Sequence, residues 1–198
     1  MKKKLMTVLA LVLVVAMSVA GTIAFLTDTT DPIANTFTVG NVYIDLTETF
    51  NTDTDNNGTA DAWKAQLIPG TTYAKDPVVT VIADSEDCWL FVKFEEKNDA
   101  ATYLNYTSNL TTDNGWTQGD GTNIPTYVWY RAVPKAATNT SFQLLAGDNT
   151  YPNGCISVKN NVTNDNMNTA ANAQLVYTAY ACQSANMTAE AAWAEVSK

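Results

Sequence analysis

Short segments in which apolar and polar residues alternate recur along the chain, and this alternation restricts the fold more than any other feature. A period of two places successive side chains on opposite faces of a strand, whereas a helix requires a period of 3.6. Gly, Pro, Asn and Asp cluster between the segments, as is typical of turns. Alternation is clear at residues 42–46, 90–94 and 175–181; a β-branched run at 78–82, an aromatic segment at 127–133 and two shorter segments at 142–144 and 156–158 complete the set. They predict an all-β fold, a jelly-roll-like antiparallel β-sandwich.

The C-terminal segment departs from this pattern. Residues 189–195 read AEAAWAE, which is rich in helix formers, and Thr188 precedes them. A threonine hydroxyl can accept a hydrogen bond from a free N–H of the first helical turn. Glu190 would lie in that first turn, where a negative charge is favourable. We therefore expect a short C-terminal helix after the last strand.

Composition excludes several classes of function. Of the 198 residues, 46% are hydrophobic and 16% are charged, a balance that favours a folded domain over a disordered chain. The formal net charge of −9 argues against nucleic acid as a partner, because phosphates require clustered Lys and Arg. The sequence contains no histidine, which excludes Ser-His-Asp triads, Cys-His pairs and HExxH zinc sites. Polar stretches at 98–123 and 160–172 are expected to be loops of one domain.

The N-terminus has the layout of a secretory signal peptide. Lys2, Lys3 and Lys4 precede an apolar run at residues 5–20, and small residues follow up to Ala24. We expect residues 1–24 to be removed between Ala24 and Phe25, which leaves residues 25–198 as a single secreted domain without a stable membrane span. Cleavage after Ala20 also satisfies the small-residue rule. An uncleaved membrane anchor is the other alternative, because about 20 apolar residues can cross a bilayer.

Three cysteines, Cys88, Cys155 and Cys182, form an odd set without a CxxC or metal-binding spacing. Cys88 and Cys182 both adjoin apolar segments, so their pattern favours small core residues over a disulfide between them. A Cys88–Cys182 bond stays open as the alternative, because export permits disulfides.

One acidic segment predicts a weak calcium site. Residues 53–61 read DTDNNGTAD, in which Asp53, Asp55, Asn57 and Asp61 could supply side-chain oxygens and Thr59 its carbonyl. The pattern departs from an EF-hand, which has a bidentate Glu at the twelfth position, where this chain has Lys64. An acidic turn between two strands is the alternative interpretation.

Several motifs, taken in order, resemble the TasA/camelysin family of exported proteins from Gram-positive bacteria. The first two are GTIAFLTD at residues 21–28 and NTFTVGNV at 35–42. IPG at 68–70 and KDPVVTV at 75–81 are similar to the segment that leads into the family's second strand. Residues 177–183 and 190–196 are similar to its closing strand and terminal segment. The resemblance therefore extends to both ends and the middle of the chain.

The resemblance implies a jelly-roll-like domain that is secreted or held at the cell surface after cleavage by a SipW-type signal peptidase. It also implies self-association into biofilm matrix fibres, in which the mature N-terminus of one subunit pairs as a strand with the next. The corresponding segment here is 25–38, with Phe25, Ile33 and Phe37 as candidate anchors. The same segment could instead be an edge strand of its own domain or a frayed terminus.

Two other functions stay open at this stage. Camelysins of this family are assigned metallopeptidase activity, although the chain lacks the histidines that zinc catalysis normally uses. A surface adhesin is the third possibility, because aromatic side chains can stack on sugar rings. The five tryptophans are Trp63, Trp89, Trp116, Trp129 and Trp193, of which Trp116 is expected in a loop. We expect a structural subunit, not an enzyme, with calcium as the one candidate cofactor.

Overall fold

A computed structural model describes residues 41–48, 51–52, 62–63, 68–163, 165–166, 170 and 172–198. These residues form an all-β fold in which every paired strand is antiparallel to its neighbours. The strands are β1 (Ile44–Thr47), β2 (Asn51–Thr52), β3 (Ala62–Trp63), β4 (Thr72–Ala74), β5 (Val78–Val81), β6 (Cys88–Lys97), β7 (Leu104–Asn105), β8 (Thr117–Gln118), β9 (Val128–Val133), β10 (Thr140–Gln143), β11 (Cys155–Val158) and β12 (Gln174–Gln183). The helices are α1 (Ala100–Tyr103), a 3-10 turn (Thr112–Asn114) and α2 (Ala189–Val196).

The strands group into three sheets and one small pair. Sheet I has the order β1-β5-β10, sheet II the order β12-β6-β9-β8, and sheet III the order β4-β11-β7. Strands β2 and β3 pair with each other. The longest pairing joins β6 to β12 over ten consecutive residue pairs, from Gln174↔Lys97 to Gln183↔Cys88. Sheet II is therefore built around a long β6–β12 ribbon.

Strand β6 is the central strand of the molecule, because both of its faces are covered. Leu90, Phe91 and Val92 follow one another in sequence and are each 0% exposed. Consecutive residues of a strand point to opposite faces. Leu90 and Val92 pack in the core between sheets I and II, and Phe91 packs on the other face.

The first core lies between sheets I and II, and we call it the sandwich core. Its buried members are Val79, Val81, Cys88, Leu90, Val92, Leu110, Trp116, Val133 and Leu144. A second core packs against sheet III and includes Tyr103, Leu104, Ile156 and Val158. Leu175 and Tyr177 of β12 pack on this second core, so β12 joins the two.

The C-terminal helix α2 covers the outer face of sheet II. Ala189, Ala192 and Trp193 are its buried residues, and the Trp193 ring lies 5.3 Å from that of Phe91. Thr188 begins the helix, and its hydroxyl accepts a hydrogen bond from the Ala191 N–H at 3.3 Å. The predicted short C-terminal helix and its cap are confirmed.

The sequence prediction is confirmed for all seven predicted strand segments, which correspond to β1, β5, β6, β9, β10, β11 and β12. The expectation of loops at 98–123 was incomplete, because α1, β7, the 3-10 turn and β8 lie there. These elements have two to four residues each, too short to show a period. Strand β4 was also missed, because Thr72–Ala74 has three residues and its pairing with β11 is a tertiary contact.

Candidate functional site

The outer edge of β12 is the most unusual feature of the described surface. β12 is ten residues long, contains no charged residue and no proline, and pairs with β6 without a bulge. Among the described residues, no strand pairs with its other edge. Proteins normally protect an edge strand by making it short, by charging it or by interrupting it with proline or a bulge. β12 has none of these protections, so its main-chain groups can accept another strand.

β1 is the edge of sheet I on the same side of the sandwich, where it contacts β12. The inward-facing residues Val42 and Ile44 are partly buried, and Leu46 remains 36% exposed. On β5, by contrast, Val79 is 0% exposed. Between β1 and β12 the sandwich core is therefore incompletely covered. We call this region the open side; its residues are Val42, Ile44 and Leu46 of the β1 segment and Tyr177, Ala179 and Ala181 of β12.

The start of β1 is fixed to the turn that precedes β6. The Tyr43 N–H donates to the Ser85 hydroxyl at 3.1 Å, and that hydroxyl donates to the Tyr43 carbonyl at 3.3 Å. The Ile82 N–H donates to the same carbonyl, and the Glu86 N–H donates to that of Asn41. These bonds hold Asn41 and Tyr43 against the turn that precedes β6.

The end of β1 is held by a buried ion pair. Lys75 Nζ lies 2.8 Å from Glu48 Oε1 and 3.1 Å from Oε2. The two side chains are 8% and 12% exposed, so the pair is largely removed from water. Such a pair is costly to break, because one charge would remain buried without its partner. Both ends of β1 are therefore anchored, while its outer edge has no paired strand among the described residues.

The opposite side of the sandwich, between β8 and β10, has a different construction, and we call it the closed side. β8 has two residues, and the Arg131 guanidinium of β9 lies 4.0 Å from the Phe142 ring and 5.3 Å from the Trp116 ring. Arg131 Nη1 also donates to the Asn114 carbonyl at 3.1 Å. Leu144, just after β10, is 0% exposed. Trp116 and Leu144 are thus buried here and Phe142 is partly buried, and the edge strand of sheet II is short.

Most residues that the sequence assigned to sites lie outside the described residues. This holds for the cleavage site at Ala24 and Phe25, for the anchors Ile33 and Phe37, and for the whole assembly segment 25–38. The predicted calcium ligands Asp53, Asp55, Asn57, Thr59 and Asp61 also lie outside, in the sequence between β2 and β3. Their roles stay predictions. Within the described ranges, no group of three or more Asp, Glu or Cys side chains could hold a metal ion.

The three cysteines are free thiols. Cys88 packs in the sandwich core, whereas Cys182 packs on the outer face of sheet II with Trp89. Cys182 pairs in register with Trp89 and not with Cys88, so the two thiols lie on opposite faces. Burial, with smaller contributions from Asp87 and Cys182, raises the pKa of the Cys88 thiol to about 11. Cys88 is an inert core residue, as its sequence context favoured.

The four tryptophans whose side chains the structure describes, Trp89, Trp116, Trp129 and Trp193, do not form an exposed platform. Trp116 was expected in a loop and does follow the 3-10 turn, but it is 2% exposed and packs in the sandwich core. Trp193 is also buried, and Trp89 and Trp129 are partly buried. Trp116 therefore offers no face to a sugar ring.

The sequence does contain a signal for the β12 edge. Residues 174–183 read QLVYTAYACQ, a long alternating segment without any charge. Alternation does not reveal which strands lie at an edge, so the order of the strands in the sheet is needed as well. Likewise, Lys75 and Glu48 are 27 residues apart, and no local pattern predicts their pairing.

Comparison of the chain with protein-family models, curated proteins and solved structures finds no match. In the part of the chain that the structure describes, no helix has the length and apolar character needed to cross a membrane.

Proposed function

We propose that the mature protein is a secreted structural subunit of an extracellular or cell-surface fibre, and that it assembles by β-strand addition. The observation that carries this proposal is the edge of β12, ten uncharged residues with no paired strand on the outer side among the described residues. Strand addition derives its affinity from main-chain hydrogen bonds and its specificity from side chains that enter pockets. The incompletely covered core beside β12 can receive such side chains.

The segment that would supply the added strand is residues 25–38, directly after the proposed cleavage between Ala24 and Phe25 by a SipW-type peptidase. Asn41, the first described residue after it in the sequence, lies beside the turn that precedes β6. Strand β12 ends at the same end of the sandwich, because Gln183 pairs with Cys88 at the start of β6. Asn41 and the end of β12 therefore lie at the same end of the sandwich.

The direction of β12 favours a segment from a second subunit. A segment that returned along its own β12 would have to run parallel to that strand, since both would end near Gln183. A segment from another subunit is free to run antiparallel, as all other pairs in the described fold do. Antiparallel pairing is slightly more stable per residue, and repeated addition generates a filament.

Blocking the edge of β12 tests this proposal. Val176→Lys places a charge on the edge strand opposite Glu95, so its cross-strand neighbour favours the folded domain. The matched control is Thr117→Lys on β8, the other edge of sheet II, where Thr117 is exposed. Sedimentation and electron microscopy of the protein that starts at Phe25 should show fibres for the wild type and for Thr117→Lys. Val176→Lys should remain a folded monomer.

The proposed donor segment is tested separately. Deletion of residues 25–38 should leave a folded monomer that cannot elongate. Phe37→Asp should reduce assembly more than Asp31→Ala, because only the first puts a charge where an anchor is expected to be buried. Fibres formed equally well by Val176→Lys and by the deletion variant would overturn the proposal. So would a monomer that cleaves proteins in a metal-dependent way, the camelysin-like alternative.

A further inference from the structure

Arg131 is the single arginine of the sequence, and its surroundings are unusual for a cation. Its guanidinium lies over two aromatic rings that contact each other edge-to-face, 4.0 Å from the centre of Phe142 and 5.3 Å from that of Trp116. A cation–π contact uses the charge of the guanidinium and none of its N–H donors, which can therefore make hydrogen bonds. Nη1 donates one such bond to the Asn114 carbonyl. The arginine is therefore held rigidly with part of its donor set uncommitted.

No carboxylate compensates this cation within the described residues. The ion pairs there involve Lys75, Lys93, Lys135 and Lys198, although the chain has 20 acidic residues. Burial alone lowers the pKa of Arg131, without an opposing contribution from a neighbouring acid. A partly buried arginine in an acidic protein ordinarily pairs with Asp or Glu. A negatively charged ligand would supply the partner that Arg131 lacks among the described residues.

Arg131 lines a cleft of about 250 Å³ beside β10. The cleft is formed by Asn109, Asn114, Trp116, Arg131, Ser141, Phe142 and Gln143, and none of these is acidic. Two donors of the lining, Arg131 Nε and Gln143 Nε2, are buried and have no hydrogen-bond partner among the described residues. Buried donors without acceptors are costly, so an acceptor that entered the cleft would be stabilised.

We propose that this cleft binds a carboxylate, carried by a simple organic acid or by a uronic acid sugar. A planar carboxylate matches two N–H groups of a guanidinium, and its single charge matches the single cation. A phosphate dianion would leave excess negative charge in an acidic protein. The amide and hydroxyl groups of Asn109, Ser141 and Gln143 would bond to the hydroxyls of a sugar acid. This site is independent of the open side.

Because the chain has one arginine, one Nε–H resonance reports on the site directly. In ¹H–¹⁵N spectra of the mature protein at constant ionic strength, glucuronate should shift the Arg131 Nε–H and Gln143 amide signals, with a Kd of about 1 mM. Acetate should shift the same signals more weakly, and neutral glucose should not shift them. Equal shifts with acetate and glucuronate would assign the site to simple organic acids.

Two variants separate binding from structure. Arg131→Lys keeps the charge but loses the planar guanidinium, which can donate two parallel hydrogen bonds to a carboxylate. It should weaken glucuronate binding at least tenfold, as measured by calorimetry. Lys135→Gln removes the same charge from an exposed position paired with Glu86, and should bind as the wild type does. The proposal fails if glucose and glucuronate act equally, if the Nε–H signal does not move, or if both variants lose binding equally. The Nε–H measurement uses unaltered protein, so it decides even if Arg131→Lys folds poorly.

Discussion

The two sides of the sandwich are each held by a basic residue, but in opposite ways. On the open side, Lys75 neutralises Glu48 at the end of β1 and leaves the strand edge itself uncovered among the described residues. On the closed side, Arg131 lies against Trp116 and Phe142, and the edge strand β8 has two residues. The open side thus ends sheet II with a ten-residue edge strand, whereas the closed side ends it with a two-residue one.

This difference indicates how a β-sandwich can pair at one side without aggregating at both. A long, flat edge is a hazard unless it is covered, whereas a short edge is safe. A molecule with one pairing edge and one protected edge can add a strand in a single direction. The comparison therefore predicts that substitutions on the two sides have different effects on stability and assembly.

The largest effect is expected from loss of the ion pair that anchors the open side. Lys75→Met leaves the Glu48 carboxylate largely buried without its partner, and should cost about 3–5 kcal/mol of folding free energy. Urea denaturation followed by tryptophan fluorescence measures this loss.

The matched control replaces both partners. Glu48→Leu combined with Lys75→Met removes the two charges together, and should recover most of the lost stability. If the single and double variants are equally unstable, the charge pair is not what holds the end of β1.

The next largest loss of stability is expected at side chains that cover the sandwich core, and it should differ between the two sides. Leu144→Ala opens a cavity at a site that is 0% exposed, and should cost about 2–5 kcal/mol. Leu46→Ala removes a side chain that is 36% exposed, and should cost less than about 1 kcal/mol in the monomer. Denaturation of the two variants should give midpoints that differ clearly. Similar losses would mean that the open side is as well covered as the closed side.

The fold could be predicted from the sequence because its main signals are local. Alternation at residues 175–181 depends on side chains two positions apart, and the cap at Thr188 depends on one turn of helix. The short strands β4, β7 and β8 could not be predicted, since two or three residues contain no period. They form because longer strands provide partners, as β9 does for Thr117.

The candidate sites were harder to predict, because they depend on which strands are neighbours. A charge-free segment at 174–183 is compatible with a buried central strand, and only the sheet order makes it an edge. The sequence places Arg131 in an aromatic strand, but its surroundings depend on Trp116 and Phe142 from other elements. Contacts between residues distant in sequence determine both sites.

The smallest expected change in stability comes from the thiols of β6 and β12 at high pH. Cys88 lies on the central strand, and burial raises its pKa from the ordinary value of 9.0 to about 11. The folded state thus favours the protonated thiol. Its contribution to stability is complete below about pH 9 and is lost as pH rises through about 11. Wild type should therefore lose more stability than Cys88→Ala between these pH values.

Thermal denaturation at intervals from pH 8 to 11 measures this difference. The slope of the melting temperature against pH is compared between the proteins, because a pH-independent loss of stability from the substitution does not change that slope. Tyr106 and Tyr177, whose pKa values burial also raises, are present in both proteins and affect them equally.

Cys182→Ala is the matched control on the edge strand, where the thiol is partly exposed and its pKa is raised by a smaller burial. The pH dependence of its stability should be closer to that of wild type than the pH dependence of Cys88→Ala is. If the slopes of wild type and Cys88→Ala coincide, the Cys88 thiol reaches solvent, and the centre of sheet II is no better covered than its open edge.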